Sequence, residues 1–167
     1  MFSIIVAISK NGIIGLNNQL IWNLPDDLKN FKNVTLNHKV VMGRKTYTSF
    51  KNPLPNRENL VVTHQTIDKQ GFKCIDNLDN FIEENKDTEE EIFIIGGAQI
   101  YELFFQYTKK IYLTNVLKDF IGDTRLDLDL SGFKLISKTG NLINNDIKFN
   151  FEVYKRIWLH GNVNLSN

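Results

Sequence analysis

Three features of the sequence predict an α/β fold with a central, mostly parallel twisted sheet, helices on both faces and an antiparallel C-terminal strand. Short β-branched runs recur along the first two thirds of the chain, helix-like segments separate several of them, and the last third replaces helices with a two-residue alternation. The apolar run over residues 2–8 suits a strand buried on both faces, at the centre of a parallel sheet. A helix over 25–36, a strand over 39–42 and a helix over 44–50 follow. Strands are expected over 59–62 and 72–75, and a helix over 77–85. Residues 92–95 and 111–116 read as strands, with a helix over 98–105 between them. After Val116 no amphipathic helix is found, only loop-rich sequence. There Ile147, Phe149, Phe151 and Val153 alternate with Lys148, Asn150 and Glu152, a strand expected to run antiparallel at the sheet's end. Trp158 is expected to pack in the core, and residues 160–167 form a polar tail.

The 167 residues are 42% hydrophobic and 23% charged, so one domain over 1–167 is the expectation. Twenty basic against nineteen acidic side chains leave a net charge of +1, which gives no field for nucleic acid or an anionic membrane. Neither partner is expected. The single cysteine, Cys74, cannot form an intrachain disulfide and reads as a small packed residue, which fits a reducing cytoplasm. The apolar stretch 4–8 is too short to span a bilayer and has no basic lead. The charged run 83–91 reads as a solvated helix end and turn.

One carboxylate stands in an unusual place. On the helix beginning near Pro25, residues Leu24, Asp27, Leu28 and Phe31 fall at i, i+3, i+4 and i+7, one apolar stripe. Asp26 points elsewhere. An ionised group on such a stripe is an acid–base group or the counter-ion of a bound cationic group, unless Asp27 merely caps the first turn.

Three strand ends add a second pattern. Gly43-Arg44-Lys45-Thr46, Thr63-His64 and Gly96-Gly97-Ala98 each follow a buried strand, and two of them lie where a helix begins. In open α/β sheets ligands bind along that edge, and helix N-termini offer N–H groups to phosphate. Arg44, Lys45 and His64 together could hold a further phosphate, although the glycine pair is equally compatible with a plain turn. No G-x-G-x-x-G or P-loop motif occurs, and His38, His64 and His160 show no metal-ligand spacing. Trp22 lies in a Gly- and Asn-rich loop before the Asp27 helix, a composition suited to a lid.

Six segments in order resemble dihydrofolate reductase: Asn11-Gly12-Ile13-Ile14-Gly15, Ile21-Trp22-Asn23-Leu24-Pro25-Asp26-Asp27-Leu28, Val41-Met42-Gly43-Arg44-Lys45-Thr46, Pro53-Leu54-Pro55-Asn56-Arg57, Ile94-Ile95-Gly96-Gly97-Ala98-Gln99-Ile100-Tyr101 and Gly122-Asp123-Thr124. The resemblance covers residues 3 to about 158 and implies NADPH as cofactor, with a hydride passed to C6 of 7,8-dihydrofolate and a proton delivered to N5. It implies that Asp27 hydrogen-bonds the pterin N3 and 2-amino group, that Thr114 supports Asp27, and that the proton arrives through water near Trp22. Ile5, Ala7, Phe31, Phe50 and Leu54 would form the slot for the rings, with Leu28 and Ile95 beside it, and Arg57 would hold the glutamate α-carboxylate.

For the cofactor the resemblance assigns Gly96, Gly97, Ala98 and Thr46 to the pyrophosphate, Ala7, Ile14 and Tyr101 to the nicotinamide region, and Arg44, Thr63 and His64 to the 2′-phosphate. Gly15, Leu20, Gly43, Lys45, Ile95, Gln99, Ile100 and Thr124 complete that surface, and the Gly96–Gly97 bond is expected to be cis. Ile21, Leu20 and Ala98 depart from a proline, a methionine and a glycine usual in the family. Antifolate binding and a monomeric state are further expectations. The alternatives are a related riboflavin-pathway NADPH reductase, which Asp27 and Arg57 together disfavour, and a non-catalytic pterin-binding module.

Overall fold

A computed structural model describes residues 1–157; Trp158 and the polar tail lie outside the described residues. The chain forms β1 (Phe2–Ser9), β2 (Ile13–Gly15), α1 (Pro25–Thr35), β3 (Lys39–Gly43), α2 (Arg44–Ser49), β4 (Glu58–Val62), β5 (Phe72–Ile75), α3 (Leu78–Asn85), β6 (Ile92–Ile94), α4 (Ala98–Phe105), β7 (Thr108–Val116), β8 (Thr124–Arg125), β9 (Phe133–Lys138), β10 (Leu142–Asn144) and β11 (Ile147–Arg156). Nine strands share one sheet in the order β10-β11-β7-β1-β6-β3-β4-β5, with β9 also on β11.

β1 lies between β6 and β7 and is parallel to both, as its unbroken apolar run requires. β3, β4 and β5 extend the parallel sheet on the far side of β6. Ile4 and Val6 face a core closed by Ile82 of α3 and by Tyr101 and Phe104 of α4. Ile5 faces the opposite core with Val40, Met42 and Tyr47, against which Phe31 and Val34 of α1 pack. Helices therefore cover both faces. Because β1, β3, β4, β6 and β7 are parallel, their carboxyl ends line a single edge, the edge that carries Ala7, Gly43, Thr63, Ile95 and Thr114.

The last third departs from expectation. It holds β8, β9 and β10 besides β11, and β11 runs antiparallel to β7, β9 and β10 alike. β9 keeps only Phe133 buried, so as an exposed edge strand it carries little apolar patterning. Asn150 and Glu152, expected to face solvent, are buried at 4% and 7% exposure. Both are satisfied: Asn150 accepts from Asn115 and donates to Asn141, and Glu152 accepts from the Tyr154 hydroxyl and pairs with Lys138. The charged run is a helix end and turn except at Glu91, whose carboxylate accepts from Ser3 and Tyr112.

Candidate active site

α1 opens with Pro25 at its first position, where a missing N–H costs nothing, and places Asp26 and Asp27 in the first turn. Asp27 turns toward the sheet. Its Oδ1 accepts a hydrogen bond of 2.6 Å from Thr114 Oγ1 on β7, and Thr114 is paired in register with Ala7 of β1. Burial pushes the Asp27 carboxyl above its ordinary value, and the Thr114 bond offsets part of that rise. The capping alternative does not hold: Leu24 is the N-cap, no side chain from that position bonds the helix, and the Asp27 carboxylate is engaged by Thr114. Asp26 is exposed and bonded to Asn144. The apolar stripe is narrower than expected, because Leu28 is 54% exposed while Leu24 is buried and Phe31 half-buried.

The loop before α1 is folded against the turn that precedes β8. β2 pairs with β8, and Asn17 and Asn18, at φ of +50° and +61°, form the tip of a hairpin closed by reciprocal 3.0 Å bonds between Leu16 and Gln19. Asp123 holds this hairpin: its N–H donates to Gly15 O at 3.1 Å and its Oδ2 accepts from the Asn17 N–H at 3.0 Å. The Asn17 bond, with one from Thr124 Oγ1, keeps the exposed Asp123 carboxyl below its ordinary value. Leu20 is 52% exposed, whereas Ile21 packs beside Trp22, Leu24, Val116 and Phe149. Trp22 is buried edge-on to Phe120, and its Nε1 has no hydrogen-bond partner among the described residues. A buried donor of this kind needs an acceptor, which a water or a ligand would supply.

On the other side of the sheet edge, α2 and α4 begin next to each other. Neither N-terminus is capped by a side chain, and Gly43 N–H donates to Gly96 O at 2.9 Å, joining the two turns. A Cβ on Gly43 would lie 2.7 Å from Ile100 Cγ1, so only glycine permits this approach. A Cβ on Gly97 would meet only Thr46 Oγ1, at 3.9 Å, which leaves the backbone open beside that hydroxyl. The Gly96–Gly97 peptide is cis. Tyr101 is buried beneath it, its hydroxyl donating to Ile5 O at 2.9 Å. These two adjacent helix N-termini, neither capped by a side chain, suit a pyrophosphate.

A shallow pocket continues this row, lined by Thr63, His64, Gln65, Thr66, Ile67, Cys74 and Asp76. Arg44 reaches its rim, donating to Thr66 O at 3.1 Å. Lys45 is exposed, and its charge adds a minor part to the lowering at the Asp123 carboxyl. Cys74, expected to be packed, is half-buried at the edge of this pocket; it donates to Thr63 O, and burial pushes its thiol up. The residues present thus fit a phosphorylated dinucleotide.

At the opposite end of the cleft, Arg57 is held by its own loop. Its Nε donates to Pro55 O at 2.9 Å and its Nη1 to Thr35 Oγ1 at 3.0 Å, and it has no ion-pair partner among the described residues. Asn59, 1% exposed, bonds both N–H and C=O of Leu54 and the carbonyl of Arg57. It shapes the loop that presents Leu54 and Arg57. Sequence reasoning missed Asn59, Thr35 and Thr66, since a lone Asn or Thr beside a strand carries no signal of its long-range partner.

The chain matches the dihydrofolate reductase family over residues 1–156. It is 41% identical over 139 residues to dihydrofolate reductase of Bacillus subtilis, covering 82% of each chain. Identity is 44% over 122 residues to dihydrofolate reductase of Buchnera aphidicola, covering 72% of this chain and 75% of the relative. Among solved structures, dihydrofolate reductase from Enterococcus faecalis complexed with NADP(H) and RAB-propyl superposes with a TM-score of 0.85. It is 27% identical, and the match covers 93% of this chain and 96% of that one.

Proposed function

The chain belongs to the dihydrofolate reductase family and reduces dihydrofolate with NADPH; from that premise we propose which of its residues carry the reaction. NADPH supplies a hydride to C6 of the 7,8-dihydrofolate ring, and the product is 5,6,7,8-tetrahydrofolate. Asp27 accepts hydrogen bonds from the pterin N3 and 2-amino group. Its negative charge then favours the protonated ring that accepts hydride more readily. Thr114 orients the carboxylate through the 2.6 Å bond. Trp22 Nε1, a buried donor without a partner among the described residues, holds the water that passes a proton to N5. Ile5, Ala7, Ile95 and the partly exposed Leu28 and Phe31 line the ring slot; Phe50, Leu54 and the Arg57 fork lead to the glutamate tail.

Gly96, Gly97, Ala98 and Thr46 hold the pyrophosphate, and Arg44, Thr63 and His64 the 2′-phosphate. Gly43, Lys45, Gln99, Ile100 and Thr124 flank that path. Ile14, Gly15, Leu20 and Tyr101 enclose the nicotinamide end. No helix among the described residues is long and apolar enough to cross a membrane. A lone, half-buried cysteine supports a cytoplasmic enzyme, which we read as a one-domain monomer. Antifolates that present an amidine edge compete for Asp27.

The Asp27–Thr114 pair, an acid held out of water at the sheet edge, carries this reading. The test is NADPH oxidation by the purified protein with and without 7,8-dihydrofolate. Oxidation that starts only on its addition, with tetrahydrofolate formed in equal amount, supports the reading; oxidation indifferent to dihydrofolate contradicts it.

A further inference from the structure

The helix that carries Asp27 lacks its own cap. Leu24 occupies the N-cap, a position where Ser, Thr, Asp or Asn would ordinarily satisfy a first-turn amide, and Pro25 provides no N–H. The first free amide, that of Asp26, donates instead to Asn144 Oδ1 at 3.0 Å, across 118 residues of sequence. Asn144 Nδ2 returns the contact, donating to Asp26 Oδ2 at 2.9 Å. The neighbouring Asn145 Nδ2 donates to Asn23 O at 2.7 Å. Both asparagines sit on the β10–β11 turn, where Asn145 and Asp146, at φ of +51° and +61°, form a tight two-residue hairpin. β11 is itself paired with β7, the strand that carries Thr114.

From this arrangement we propose that Asn144 is the N-cap of the catalytic helix, supplied from the β10–β11 turn, and a positioning residue for Asp27. The chain is pinned at residues 23 and 26, and the next residue is the acid. The same hairpin connects through β11 to the strand bearing the acid's hydroxyl partner, so helix and strand are held by one rigid element. Loosening the cap lets the first turn of α1 drift and lengthens the Asp27–Thr114 contact, while the slot walls outside α1, Ile5 and Ala7 of β1 and Ile95 after β6, stay in place. The loss therefore falls on hydride transfer more than on dihydrofolate binding. This inference rests on the acid role assigned to Asp27.

The test is single-turnover hydride transfer and dihydrofolate affinity in the NADPH-loaded enzyme. Asn144→Ala removes both the acceptor of the Asp26 amide and the donor to the Asp26 carboxylate; it should slow hydride transfer on the order of tenfold, the scale of small misplacements, with a smaller change in affinity. The exchanged pair Asp26→Asn with Asn144→Asp keeps both hydrogen bonds, because a carboxylate at 144 accepts from the residue-26 amide and from an asparagine side chain there. It should run near the parent rate, and it keeps the test open if the single variant folds poorly. An unaltered rate in Asn144→Ala, or equal losses of rate and affinity there with an equally slow exchanged pair, overturns the proposal. Asp27→Asn measured alongside separates the two claims: a normal rate there sinks the acid role and this inference together. A slow Asp27→Asn beside a full-rate Asn144→Ala sinks the inference alone.

Discussion

Thr114 Oγ1 lies 2.6 Å from Asp27 Oδ1, joining a helix and a strand 87 residues apart in sequence. The contact sets two opposing influences on one carboxyl group. Removal from water favours the neutral acid, and the hydroxyl donor favours the anion; burial is the larger. Keeping an anion there costs the folded state stability in return for a charge where the ring needs one.

That cost makes stability depend on pH in a definite sense. Asp27 binds its proton more tightly folded than unfolded, so between its ordinary value of 3.8 and its raised folded value the native state carries the extra proton. The cost is absent below that window and fully present above it. Asp27→Asn should therefore raise the thermal midpoint at neutral pH, and the gain should shrink as the pH falls toward the ordinary carboxylate range. Thermal unfolding of both proteins across that range checks it; a gain that grows in acid would have the sign wrong.

Most of the sheet was legible because its strands are buried on both faces and say so in unbroken apolar runs, as at Ile4-Ile5-Val6. The helices followed from their periodicity, α4 to the residue. β9 and β10 escaped, since exposed edge strands such as Lys134-Leu135-Ile136 bury too little to show a pattern. Asp27 stood out as a charge on an apolar stripe, yet its partner Thr114 came only from resemblance, because register across β7 and α1 is a tertiary fact. Leu28 misled for the same reason: helical spacing gives a face, and not what covers it. Asn59 and Asn144 carry no local signal at all.

Arg44 should set the preference for NADPH over NADH. Its guanidinium stands at the rim of the pocket containing Thr63 and His64, over the Tyr47 ring and donating to Thr66 O. Arg44→Gln should raise the NADPH KM by about tenfold, the worth of one charge-assisted hydrogen bond to phosphate, and hardly move the NADH KM. Steady-state kinetics with both cofactors decide it, and equal increases would mean that Arg44 does not meet the 2′-phosphate.

Arg57 should serve the substrate's tail alone. Changing it to Leu should cost about 2 kcal/mol in kcat/KM for dihydrofolate, the low end for truncating one partner of a desolvated charge pair, because Arg57 is only half-buried. A dihydropterin without the glutamate should be reduced as well by the variant as by the parent. If both substrates suffer alike, Arg57 shapes the slot through its Pro55 and Thr35 bonds instead.

Gly122 is packed where no side chain fits. A Cβ there would lie 2.4 Å from Ile13 Cγ2 and 2.5 Å from Gly15 O, and the backbone oxygen cannot step aside as a side-chain tip can. Gly122→Ala should cost about 1–3 kcal/mol of stability, the range for overpacking, and separate the Asp123–Gly15 contact that holds the hairpin. Denaturant unfolding measures the first, and faster NADPH release the second. A variant as stable as the parent, with normal release, would show that the turn before β8 does not hold the hairpin.

The most direct measurement of the central claim is hydride transfer by Asp27→Asn in a single turnover, followed across pH. Asparagine keeps the shape and the Thr114 bond but cannot carry the charge that favours a protonated ring. The rate should fall on the order of 10²-fold or more at neutral pH, the usual scale of acid–base assistance, with a much smaller change in dihydrofolate affinity. It should climb again as the pH falls, because a ring protonated by the solvent no longer needs the carboxylate. A near-normal rate at neutral pH, or a loss that acid does not relieve, would contradict the account.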